Sequence, residues 1–250
     1  AVTLALLLLV ERWIHRHLPG TMILLTGDRE IAVVLYALPL MPGILLHEVS
    51  HALAAKLLGV SVGRVSVRPK LADERIQLGF VPVEETDIVR ASLIGLAPLL
   101  TGSAVIVLIG YLFFGIGGLQ QALVDGDWTS APNLLTHFVE MLKAPDVWLW
   151  AYVIFAVSNT MMPSRSDRES WTPIVLFLVL AVALAWVAGL GPAIVARLAR
   201  PVNLVTRWLT VMYGFTIIAD LPFLGLIWLV EWAIGRLRGV RVEYGSGRRP

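Results

Sequence analysis

Apolar residues in this chain gather in runs too long for an ordinary soluble fold. Ile31 to Val60 reads IAVVLYALPLMPGILLHEVSHALAAKLLGV and stays apolar through a few polar positions. A helix needs about 20 apolar residues to cross a bilayer, and this run exceeds that. Ala91–Phe114 is a second run, Val147–Pro163 a shorter third, and Pro173–Ala196 a fourth. Val202–Leu237 is long and carries Pro222 in its middle, so it reads as one kinked helix or two shorter pieces. Ala1–Val10 is apolar but brief, and Glu11, Arg12, His15 and Arg16 follow it, as at the end of a truncated span or in an interfacial helix. The pattern predicts a membrane all-α bundle of five to six transmembrane helices in a single integral membrane domain spanning residues 1–250.

One stretch breaks the helical pattern. Val60, Val62, Val65 and Val67 alternate with other residues up to Arg68-Pro69-Lys70, and Ile76, Leu78, Phe80 and Val83 do so after Asp73-Glu74-Arg75. Two alternating runs around a polar turn predict a small β-hairpin. Such an edge can pair with an extended peptide or serve only as structure, and the pattern does not choose.

Composition agrees with the runs. The chain is 57% hydrophobic and 15% charged, with a mean hydropathy of +0.78, which points to an integral membrane protein. A net charge of +2 and the lack of a basic patch argue against nucleic acid as a partner. There is no cysteine, so disulfides and thiolate metal sites are excluded. The chain opens on Ala1 rather than methionine, as a processed or truncated protein does. Trp148, Trp150, Trp171, Trp228 and Trp232 flank the runs, as interfacial tryptophans do.

Loop charge predicts an orientation. Ser61–Arg90 holds Arg64, Arg68, Lys70, Arg75 and Arg90, whereas Gly115–Asp146 holds Lys143 as its one basic residue. The first loop should be cytoplasmic and the second external. Arg165 and Arg168 then fall inside, while Arg197, Arg200 and Arg207 fall outside against the rule. Within the external loop, Asn133–Leu142 reads as a short amphipathic helix at the interface or over a substrate entrance.

The candidate chemistry lies at His47-Glu48-Val49-Ser50-His51, an H-E-x-x-H sequence inside the first long run. On a helix the two imidazoles share a face and can reach one metal ion, with Glu48 beside them. Ionisable groups at membrane depth are costly and are functional candidates by default. Pro39, Pro42 and Gly43 just before the motif predict a kink or break that opens space near the metal. Two histidines leave a third ligand to find. His15, His17 and His137 are read in polar loops. Asp167 lies toward the predicted cytoplasmic side with the histidines, and Asp220, beside Pro222 in the last apolar run, is its rival.

Residues 31–167 resemble the site-2 protease family of intramembrane zinc metalloproteases. The resemblance rests on HEVSH in a membrane helix, the hairpin-like segment after it, Gly95-Leu96-Ala97-Pro98-Leu99 opening the next span, and the spacing from Asn159 to Asp167, which follows the family's Asn-x-x-Pro…Asp-Gly pattern. Residues 168–250 are then additional transmembrane helices and a tail. The resemblance implies that His47, His51 and Asp167 bind Zn2+, that Glu48 is the catalytic acid/base, and that Asn159 lies near bound substrate. It implies hydrolysis of a peptide bond in or near the transmembrane segment of a membrane protein, by a zinc-bound water, on the cytoplasmic side of a cytoplasmic membrane. The hairpin edge would hold the unwound substrate as an added strand. This chain departs from the pattern twice: Pro163 stands four residues after Asn159 instead of three, and Arg168 stands where the family has glycine. Arg168 favours one alternative, an inactive homologue that recruits membrane proteins. A metal transporter using the histidines and Asp220 is the other.

Overall fold

Local capping sets most of the helix boundaries. In the computed structural model, which describes residues 2–72, 75–115, 146–240, 242 and 244, α1 (Val2–Thr26) ends at Gly27 with φ 72°, a left-handed turn that glycine makes without strain. Asp28 then caps α2 (Arg29–Ala37), its carboxylate accepting from the Glu30 and Ile31 N–H groups at 2.8 and 3.0 Å. A 3-10 turn at Leu38–Leu40 leads into α3 (Met41–Leu57), with Pro42 in its first turn. Pro39 and Pro42 tighten the chain there, and together Arg29–Leu57 runs as one helical stretch.

The polar excursion after α3 is less regular than its alternation predicts. β1 (Lys70–Ala72) pairs antiparallel with β2 (Arg75–Gln77), three residues each. The rest of the stretch touches only through isolated bridges, Val62 to Val83 and Ser66 to Phe80. Pro69 and Pro82 have no N–H to donate, and a continuous ladder through them cannot form. The two long strands of the expected hairpin are therefore absent among the described residues.

Asp87 caps α4 (Ile88–Phe113), accepting from the Val89 and Arg90 N–H groups at 3.0 Å each. α5 (Val147–Ser158), the short α6 (Arg165–Glu169), α7 (Trp171–Val187) and α8 (Gly191–Arg238) follow. Two boundaries differ from the apolar runs. The third run is helical only to Ser158. The fourth breaks at Gly189, φ 78°, and α8 then continues for 48 residues through Pro201 and Pro222. Arg197, Arg200 and Arg207 thus lie within α8 and not in a loop.

The chain is mostly helical, and four stretches are long and apolar enough to cross a membrane: Arg29–Leu57, Ile88–Phe113, Asp167–Val187 and Gly191–Arg238. α5 has 12 residues, about 18 Å of helix, too short by itself to span. It is the buried centre instead, contacting α3, α4 and α8. One core joins Ile109 of α4, Ile154 and Val157 of α5, and Phe215 of α8. Another joins Ile14 and Leu18 of α1, Tyr36 of α2, Ile44 of α3 and Ile227 of α8. α1 runs parallel to α8, with His17 bonded to Glu231 at 2.7 Å and Arg238 donating to the Leu25 carbonyl at 3.0 Å. His137, Lys143 and Asn133–Leu142 lie outside the described residues.

Candidate metal centre

Close helix contacts bring the site together. Gly43 opens α3, and a Cβ there would run into the Ala156 carbonyl and the Thr160 hydroxyl. The missing side chain lets α3 lie against the end of α5. Gly95 does the same for α4, where a Cβ would meet the Asp167 carbonyl. Small residues at helix contacts allow such approaches. The result sets α3, α4, the α5 C-terminus and α6 around one point.

His47, His51 and Asp167 converge there, and they could hold a metal ion, with one donor atom of each lying within 4.8 Å of the others. The two Nε2 atoms are 3.1 Å apart. Asp167 Oδ1 is 3.3 Å from His51 Nε2, and Oδ2 is 3.9 Å from His47 Nε2. His51 Nδ1 is 2.9 Å from the Ile94 carbonyl. A carbonyl only accepts, so Nδ1 carries the proton. A neutral His51 therefore turns a lone pair toward His47 and Asp167, an arrangement that suits a cation between them. His47 Nδ1 is buried, with the Thr160 backbone nearby but outside hydrogen-bond geometry.

Asp167 is held by its own helix start. Ser164 is the N-cap of α6 and Asp167 its third residue. The Ser164 N–H donates to Asp167 Oδ2 at 2.7 Å, and the Asp167 N–H donates to Ser164 Oγ at 3.3 Å. This capping box orients the carboxylate and leaves Oδ1 toward His51. Arg168 is the next residue of the same right-handed helix, and its Nε donates to the Ser164 carbonyl at 3.3 Å. The backbone freedom that glycine supplies is not needed at this position.

Glu48 is 7% exposed and faces the same cavity of ≈ 1240 Å³ as the three ligating residues. Gly79, after β2, presses directly on it: a Cβ at 79 would meet the Glu48 carboxylate. Asn159 lines this cavity too. It caps the end of α5, with Nδ2 donating to the Phe155 carbonyl at 2.9 Å, while its Oδ1 is buried and unpartnered.

The other candidates fall elsewhere. Asp220 is fully buried in α8 and receives the Ser158 hydroxyl at 3.3 Å; it is not in the ligating group. His15 and His17 lie in α1 and not in loops. His17 pairs with Glu231, but His15 lines the cavity, with Nδ1 2.8 Å from the Tyr36 hydroxyl. The signal for α1 was present in the buried positions Leu7, Glu11, Ile14, Leu18 and Thr21, spaced three and four apart across the charged stretch. No family model, no curated protein and no solved structure matches the chain.

Proposed function

We propose that the protein is an intramembrane zinc metalloprotease that cuts a peptide bond in or near the transmembrane segment of a membrane protein. The observation that carries this reading is the coincidence, in one cavity among apolar helices, of the His47–His51–Asp167 group with Glu48. Donors at about 2.0–2.2 Å around a tetrahedral zinc stand about 3.3–3.6 Å apart. The separations of 3.1, 3.3 and 3.9 Å bracket that range. Two imidazoles and a carboxylate suit zinc better than calcium or magnesium. Three protein ligands leave a position open, as catalytic zinc sites do.

When bound, the metal supplies Lewis acidity at the scissile carbonyl and lowers the pKa of a coordinated water. The chain supplies the rest. His47, His51 and Asp167 hold the ion, and the Ile94 carbonyl and the Ser164 N–H hold two of those ligands in orientation. Glu48 takes the proton of the attacking water and returns it to the leaving amine. Its place against Gly79 sets the direction of that carboxylate.

A substrate helix must unwind before it can be cut, since its carbonyls are bonded internally. The segment around Gly79–Val81 offers a place for the extended strand. Phe80 exchanges both backbone hydrogen bonds with Ser66, and the Pro82 carbonyl accepts from Gly63 N–H. In an extended chain the Gly79 and Val81 backbone groups then point the other way, toward the cavity that both residues line. Strand addition there would bring a peptide to Glu48. Transport is the weaker reading, because Asp220 bonds Ser158 and not the histidines. We place the chemistry on the cytoplasmic side of a cytoplasmic membrane, following the basic residues of Ser61–Arg90.

The test is direct. The protein purified in detergent should carry about one zinc per chain and cleave a tethered single-span substrate. Glu48→Gln should keep the zinc and lose activity by about 10²–10⁴-fold. A zinc-loaded wild type that cuts none of a broad panel of single-span substrates would sink the proposal.

A further inference from the structure

The cavity has an uneven charge that proteolysis as such does not require. Its lining includes five carboxylates, from Glu48, Glu84, Glu85, Asp167 and Glu169, and no lysine or arginine. Glu48 and Asp167 belong to the metal centre. The other three are exposed, and none has an ion-pair or hydrogen-bond partner among the described residues. Glu84 and Glu85 lie on the segment before α4, and Glu169 closes α6. The Ser92 hydroxyl, donating to the Ser170 carbonyl at 3.0 Å, ties the two segments together beside the start of α4. Deeper in, Ile44, Ile76, Leu78, Val81, Ile94 and Met162 make apolar walls.

An apolar trough with an acidic mouth has a complementary ligand. We propose that the site selects membrane segments whose scissile region is followed, on the active-site side, by lysine or arginine residues, which Glu84, Glu85 and Glu169 receive. This rests on the protease reading and names its substrate class. A bound divalent ion offsets two of the five carboxylate charges, which leaves the mouth acidic. Exposed ion pairs are each worth about 1.4- to 5-fold in affinity, so three acting together give a preference on the order of tenfold. Because the three are solvated, salt should screen the preference.

The probes are three single-span peptides with one apolar core and a flank of three Lys, three Gln or three Glu. Binding is read by fluorescence anisotropy to Glu48→Gln, and cleavage by the wild type. At low salt the Lys flank should bind about tenfold more tightly than the Glu flank. The ratio should fall toward one in about 1 M salt, where the screening length is about 3 Å. It should also fall toward one in the triple variant Glu84→Gln, Glu85→Gln, Glu169→Gln, with zinc content and melting checked as folding controls. The single variant Glu169→Gln and the wild-type salt series stand if the triple variant misfolds. Equal binding of all three peptides, or a preference unchanged in the triple variant, overturns the proposal. Slower zinc loading in the triple variant with unchanged peptide preference assigns the mouth to metal capture and overturns it too. A charge preference in binding without any cleavage defeats the protease reading and leaves this selectivity standing; cleavage blind to the flank does the reverse.

Discussion

At the scale of single residues, the metal group separates ligands from bystanders. His47→Ala, His51→Ala and Asp167→Ala should each lower metal affinity by more than about a hundredfold, beyond the 10–100-fold typical of losing an outer partner. Asp220→Asn should leave metal content unchanged, since Asp220 bonds Ser158 instead; metal analysis of the four purified variants checks both. A zinc-free Asp220→Asn protein would put that carboxylate back among the ligands. Gly79 is a second test. A valine there meets the Glu48 carboxylate, and a displacement of about 1 Å in a catalytic group costs about 10²-fold. Gly79→Val should therefore retain metal and lose turnover by about that factor. The histidines and Glu48 were legible from spacing alone, because four residues along a helix define one face. Gly79 was not. Its closeness to Glu48 depends on the chain returning across α3, which no local pattern encodes.

At the scale of elements, caps and close contacts hold the ligands in place. Backbone N–H bonds from Arg90 and Val89, together with the Arg90 guanidinium, keep the Asp87 carboxyl below the usual carboxylate range. A depressed folded pKa contributes stability above the unfolded value, about 3.9. That contribution is lost as pH falls through the folded pKa. Acid unfolding of Asp87→Asn should accordingly show a weaker pH dependence below about pH 4 than the wild type, followed by circular dichroism. Gly43 is the packing counterpart. Gly43→Leu should destabilise by about 1–3 kcal/mol through overpacking of α3 on α5, measured by chemical denaturation in detergent. The apolar runs were enough to name most of the helices but not their ends. Ser158 ends α5 well before Pro163, and Leu190 continues into α8 where a break was expected, because tertiary packing and not hydrophobicity decides where a helix stops. The concern over Arg168 was likewise a local one. It disappears once α6 is seen as a right-handed helical turn, where arginine is at ease.

At the scale of the whole molecule, the membrane is the organising condition. α7 has no buried residue, and such a face needs lipid or another apolar surface. The protein should stay with membranes through alkaline carbonate and high salt and leave them only in detergent; recovery in the aqueous fraction would remove the membrane reading. α8 is 48 residues long, about 72 Å of helix, against a hydrocarbon core of about 30 Å. Part of it must therefore lie outside the core or along the interface. Its buried residues other than Gly191 run from Val211 to Ile227, which marks the part that belongs to the bundle.

By itself the sequence determined the apolar helical character, the H-E-x-x-H face and the candidates for a third ligand. Composition and helical periodicity are local properties, readable one turn at a time. Only the tertiary structure decided that Asp167 and not Asp220 joins the histidines, that α1 brings His15 to the cavity, and that the hairpin stretch is mostly irregular. Each of those outcomes depends on residues far apart in sequence meeting in space. The meeting is set by how closely helices can approach at Gly43 and Gly95, and by which carbonyls and N–H groups are free to orient a side chain.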